Sequence, residues 1–180
     1  MARMDPALVA AISVVPYEDD GYRQQAPRFD PLSGEGARRR GGRFNPPESF
    51  PVLYLCSTRA CAAAEFFRAG NRLVIGPEGL LPRHVFRYAL RLERIVDLTI
   101  EENLPRLGIT ELDLVAEVLS VTRSIGEAVH SLGIQGIRSP SATGQDHVLA
   151  ILIENIGAGL VDPKLDEVWS SLSDVQGEKE

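Results

Sequence analysis

The chain has 180 residues, 44% of them hydrophobic and 24% charged, and a formal net charge of −6; this fits one globular domain with its own core and excludes a disordered or fibrous protein. No apolar run approaches the ~20 residues that span a bilayer, and "MARMDPALVAAISVVP" is too short and too interrupted in its apolar part for a signal peptide. A cytoplasmic protein is expected, with no membrane contact.

The charge is divided unevenly. Residues 1–91 hold 13 arginines against 9 acidic residues, whereas residues 92–180 hold 6 basic against 16 acidic. The basic character therefore belongs to the first half, where it is all arginine, the side chain whose planar fork grips phosphate.

In chain order, Asp5 as N-cap and Pro6 behind it predict a short helix in "MDPALVAAISVV". Residues 16–51 predict a long loop with little regular structure, a length that itself argues for a site. "VLYL", residues 52–55, predicts a buried strand. "STRACAAAEFFRAG" predicts a helix capped by Ser57 or Thr58, with Ala60, Ala63, Ala64 and Phe67 on its inner face and Gly70 at its end.

"HVFRYALRL" alternates, with Phe86, Tyr88, Leu90 and Leu92 on one face of a strand that "RIVDL" continues or pairs with. Thr99 with Glu102 predicts a capping box ahead of a short helix. "SVTRSIGEAVHSLG" predicts a helix burying Val121, Ile125, Ala128, Val129 and Leu132 and stopped by Gly133. "IQGIR" and "HVLAILI" predict strands around the turn-rich "SPSATGQD", Asp162 and Pro163 a last helix carrying Trp169, and residues 173–180 a frayed polar tail. Helices and strands mix without strict βαβ alternation, which makes the class α+β. Cys56 and Cys61, five apart, read as small buried thiols rather than a disulfide or metal pair.

The candidate chemistry starts from "GARRRGGRFNPP", which sets Arg38, Arg39, Arg40 and Arg43 among glycines. An exposed basic loop, a nucleic-acid contact and a cradle for phosphates are three readings of it; glycine N–H groups can form a nest for an anion. No Walker or Rossmann glycine pattern is present, and an acidic domain argues against direct nucleic-acid binding. Glu65, between Ala64 and Phe66 on the predicted helix, is a carboxylate placed to face an arginine-lined cleft. Tyr22, Arg23, Tyr54, Ser139 and Ser141 complete the set. His84, His130 and His147 show no metal-binding spacing, no metal is expected, and no "GxSxG" elbow supports a serine hydrolase.

Together, "GYR", "DPLSGEGARRRGGRFNPPESFPVLYLCSTRACAAAE" and "GIRSPSATGQDHVLAILIENI" resemble the RES-domain family, the toxin half of bacterial Xre-RES toxin–antitoxin pairs. The resemblance is strongest over residues 22–155 of a single domain placed at 1–172. It implies an ADP-ribosyltransferase-like mixed sheet and a cleft that takes NAD as substrate and breaks its nicotinamide–ribose bond. It implies Glu65, Arg23 and Ser141 as catalytic residues, and Arg43, Tyr54, Tyr22, Arg23 and Ser141 as NAD-binding residues. Ser139 is the less favoured serine.

Water, inorganic phosphate or a protein side chain could accept the ADP-ribose, so a glycohydrolase, a phosphorylase and a protein ADP-ribosyltransferase all stay open, as does a catalytically silent NAD-binding module. The implied partner is an Xre-type helix-turn-helix antitoxin, and homo-oligomerisation is left open. Two departures from the family pattern stand out: Glu48 where a Gly usually follows "NPP", and His147 where an Asn is frequent.

Overall fold

The computed structural model describes residues 4–157 and 161–177. Its elements are α1 (Pro6–Ala10), β1 (Val15–Gln25), α2 (Glu35–Arg40), β2 (Val52–Cys56), α3 (Arg59–Gly70), β3 (Arg83–Asp97), α4 (Asn103–Arg106), α5 (Glu111–Val115), α6 (Ser120–Ser131), β4 (Gly136–Pro140), β5 (His147–Leu152), β6 (Val161–Trp169) and α7 (Leu172–Gln176). Helices and a mixed sheet give the α+β class expected.

The strands run β1-β2-β5-β4-β3, and β3 also pairs with β1, so the sheet returns on itself; β6 adds to the other side of β3. Alternation then sorts the side chains. Leu53 and Leu55, Leu90 and Leu92, and Leu149 and Ile151 share one cluster between the facing strands. Val52, Ala150, Leu152 and Ile137 face outward against α1 and α4–α6, in a cluster with Ile125 and Val129 of α6. A third cluster joins Cys61, Ala62 and Phe66 of α3 to Trp169 and Val175. Burying a side chain such as Leu55 or Phe66 contributes about 1.5–3 kcal/mol.

Several expectations are corrected. Residues 15–25 are a strand, not loop: polar "VPYEDDGYRQQ" pairs with β3 from Val15–Ile95 to Gln25–His84. Its backbone groups find partners on β3 although few of its side chains are apolar, so hydrophobic periodicity gave no signal. The inner face of α3 is Cys61, Ala62 and Phe66, with Ala60 exposed. In a run of alanines, nothing but the neighbouring bulky residues distinguishes one face from another.

No Thr99–Glu102 capping box forms, because Thr99 turns its hydroxyl to Asp97 at 2.6 Å. Asp162 and Pro163 lie in edge strand β6, where a proline costs no ladder bond on its open side. Trp169 ends that strand fully buried, donating to Glu167 at 2.8 Å. Residues 173–176 of the expected tail belong to the capped helix α7, with Ser171 and Asp174 exchanging bonds and Val175 buried.

Candidate active site

β1 and β2 meet at one register pair, Tyr22–Cys56. Beyond it the strands part, and a cleft of about 460 Å³ opens between them. Consecutive residues line it from both strands, Tyr22–Gln24 and Tyr54–Cys56. One face of a continuous sheet presents only alternate residues, so this lining requires a fork. The volume is in the range of ligand-binding clefts.

Glu65 enters the cleft from the middle of α3. Thr58 fixes the start of that helix: its hydroxyl accepts from Cys61 N–H and donates to Asp146 Oδ2 at 2.6 Å. That bond holds the β4–β5 loop alongside α3, and about two turns further along the helix Ser141 Oγ donates to Glu65 Oε1 at 2.8 Å. Ser141 is 2% exposed and its oxygen also accepts from Thr143 N–H at 3.1 Å, so the donor is aimed. Ser139 lies inside β4 with its hydroxyl on the Pro140 carbonyl.

"GARRRGGRFNPP" divides in two. Arg38, Arg39 and Arg40 lie on α2, outside the cleft lining, with Arg38 and Arg39 paired to Glu35. Gly41, Gly42 and Arg43 do line the cleft. A nest of glycine N–H groups, one of the three readings of this run, does not form at Gly41 and Gly42, since Gly41 N–H donates to the Ala37 carbonyl at 2.7 Å and Gly42 N–H to the Asn45 carbonyl at 2.9 Å. These donors hold the loop's own shape rather than offering themselves to an anion.

Buried Asn45 ties that loop together, donating to the Ala37 carbonyl and accepting from the Tyr54 hydroxyl at 2.9 Å. The Tyr54 oxygen accepts from Phe44 N–H at 2.7 Å. Burial holds the Tyr54 phenol well above its usual pKa, so it remains a neutral donor and acceptor. Gly42 lies against its ring, where a Cβ would come within 2.5 Å. The Phe44 carbonyl oxygen presses on α6 at Gly126, 1.6 Å from where a Cβ would be.

Strand alternation separates Tyr22, which packs on the α3 cluster, from Arg23, whose guanidinium donates to the Ser33 carbonyl at 3.2 Å beside Tyr88. Burial lowers the Arg23 pKa. Arg43 Nη1 donates to the carbonyls of Leu114 and Ala116 at 2.6 and 3.2 Å. Its pKa is lowered by burial first and by the like charge of Arg68 second. The six residues to which the family resemblance gave a role, Tyr22, Arg23, Arg43, Tyr54, Glu65 and Ser141, lie in or against one cleft, whereas Arg38, Arg39, Arg40 and Ser139 do not line it.

Five further charged or amide side chains of the lining, Gln24, Arg68, Arg72, Glu117 and Arg123, were not among the sequence candidates. Arg68 lies one turn beyond Glu65 on α3 and Arg72 in the turn just past its end, a spacing that looks the same as a solvated face. Arg123 donates to the Gly42 carbonyl at 3.0 Å, and Glu117 accepts from Arg68 at 3.0 Å. Gln24 has a buried Oε1 with no hydrogen-bond partner among the described residues. The lining holds five arginines against two glutamates, three positive charges in excess on a chain of net charge −6. Such a cleft favours an anionic ligand. Glu48 and His147 are not in the lining; Glu48 is exposed at φ 54°, and His147 Nδ1 faces Arg138 at 3.2 Å.

Comparison with known proteins follows the same lines. The chain is 30% identical over 146 residues to proteins of Mycobacterium tuberculosis and Mycobacterium bovis named NAD(+) phosphorylase MbcT, covering 78% of this chain and 78% of theirs. The crystal structure of the M. tuberculosis MbcT–MbcA toxin–antitoxin complex has the same fold, with a TM-score of 0.88 at 24% identity over 96% of this chain and 94% of that one. No helix among the described residues is long and apolar enough to cross a membrane. The sequence model of the RES domain matches residues 20–170, and the chain belongs to the RES domain family.

Proposed function

We propose that this chain cleaves the nicotinamide–ribose bond of NAD+, with inorganic phosphate as the acceptor, and that it is the toxin of a toxin–antitoxin pair. The observation that carries the reading is the Ser141–Glu65 bond inside an arginine-rich cleft. The phosphorylase name of relatives 30% identical supports the chemistry, and the fold shared with a toxin bound to its antitoxin supports the partner.

In the reaction proposed, the C–N bond breaks and its electron pair leaves with nicotinamide, which departs neutral and needs no proton. The ribose carbon passes through an oxocarbenium-like state, as in glycoside hydrolysis. Glu65 stabilises that positive charge, and Ser141 keeps its carboxylate turned toward the cleft. A phosphate oxygen forms the new C–O bond, giving ADP-ribose-1″-phosphate. Arg43 and Arg123 supply positive charge to the dinucleotide's pyrophosphate, Arg23 closes the base of the fork, and the rings of Tyr22 and Tyr54 offer walls for nicotinamide and its ribose.

Incubation with NAD+ followed by mass spectrometry tests this. Nicotinamide and ADP-ribose-1″-phosphate are expected in phosphate buffer. ADP-ribose alone, with phosphate present, makes water the acceptor; label fixed on protein makes the chain an ADP-ribosyltransferase; NAD+ bound but intact makes it a silent module. An Xre-type partner is tested by co-expression with a small helix-turn-helix protein and recovery of an inactive complex.

A further inference from the structure

Arg68 Nη2 and Arg72 Nη2 both donate to one oxygen, Glu117 Oε1. Arg68 at the same time stands 3.8 Å from Glu65 Oε2 through its other terminal nitrogen. Glu65, Arg68, Glu117 and Arg72 thus form a line of alternating charge from the carboxylate outward. Glu117 itself sits on a strap that leaves the end of α5, where Arg43 holds the carbonyls of Leu114 and Ala116.

The exposures show which link is exchangeable. Arg68 is 26% exposed, whereas Glu117 is 73% and Arg72 52% exposed. An ion pair so open to water is a weak tether. A phosphate group carries more charge than a carboxylate and suits paired guanidinium forks better. Two arginines meeting on one oxygen also reproduce how a pair of guanidiniums clasps a single phosphate oxygen.

We propose that Arg68 and Arg72 form an oxyanion subsite at the cleft rim for a phosphate group, and that Glu117 is its built-in occupant, displaced when the anion enters. The strap stays anchored through Arg43 while its carboxylate swings away. An anion held by Arg68 lies one guanidinium from Glu65, beside the place where the ribose cation forms under the NAD-cleaving reading on which this proposal rests. The phosphate can be inorganic phosphate or half of a dinucleotide's pyrophosphate.

Calorimetric titration of the intact protein with inorganic phosphate and, separately, with ADP-ribose tests the subsite without turnover. Glu117→Gln is expected to tighten binding of one or both by about fivefold, the worth of the lost internal competitor. Glu93→Gln, an equal charge change at an exposed site on β3, should do far less, and Arg72→Gln should weaken binding. If Glu117 is only a surface clasp, its replacement leaves affinity at the Glu93→Gln level, and that result overturns the proposal, as does full affinity in Arg72→Gln. Phosphate binding that survives saturation with ADP-ribose marks an acceptor subsite; displacement by ADP-ribose marks a pyrophosphate subsite, and either upholds the proposal. Should these affinity changes appear while NAD+ stays uncleaved, the subsite stands and the reaction assigned above falls.

Discussion

Ser141 and Glu65 are 76 positions apart in sequence, yet the serine hydroxyl donates to the carboxylate at 2.8 Å. Hydrogen bonds to a charged group contribute about 1.5–3 kcal/mol, and under the proposed reaction this one orients the carboxylate that meets the transient ribose cation. Ser141→Ala is expected to lower kcat about tenfold or more, with a smaller change in KM for NAD+. Steady-state kinetics on the folded variant check this. An unchanged kcat makes the contact merely structural.

Tyr54 supports the arginine loop through its hydroxyl. Tyr54→Phe leaves Phe44 N–H and Asn45 Oδ1 without that partner, at a cost of about 1–3 kcal/mol. Chemical denaturation should show the loss, and KM for NAD+ should rise as Gly42 and Arg43 loosen. Because burial raises the phenol's pKa, no activity change from its ionisation is expected near neutral pH.

Glu48 occupies a left-handed backbone position, φ 54°, that favours glycine. Glu48→Gly should therefore stabilise the fold by about 0.5–1 kcal/mol, relief of strain outweighing the entropy of an added glycine. Since Glu48 is absent from the cleft lining, NAD+ turnover should not move. A lower thermal midpoint would count against this account of the position.

His147 has its pKa lowered from 6.5, by burial first and by Arg138 second, with Asp97 and Asp146 opposing. Its neutral form is thus favoured in the fold. Below pH 6.5 the unfolded chain takes up the proton before the folded one does, so stability is present above that pH and declines as pH falls toward the lowered value. Thermal midpoints measured from neutral to mildly acid pH should fall less steeply in His147→Asn than in the parent.

Much of the site was legible because its chemistry sits in short runs. Glu65 stands out among alanines, and "SPSATG" marks a turn wherever it folds. What the residues could not disclose was partnership across the chain. Thr58 with Asp146, or Arg68 with Glu117, become neighbours only once β2, α3 and the β4–β5 loop are assembled. Strand β1 was hidden because backbone pairing holds it with little help from apolar side chains. The glycines of "GARRRGG" looked like an anion nest, and only the fold reveals that their N–H groups are already engaged.

The most direct measurement is nicotinamide release from NAD+ by the parent protein and by Glu65→Gln, with folding of both verified by circular dichroism. Removing one preorganised electrostatic contact lowers a rate about 10²–10³-fold, and a loss of that size is expected here. Turnover at the parental rate by a folded Glu65→Gln protein, or no nicotinamide release from the parent itself, would contradict the assignment.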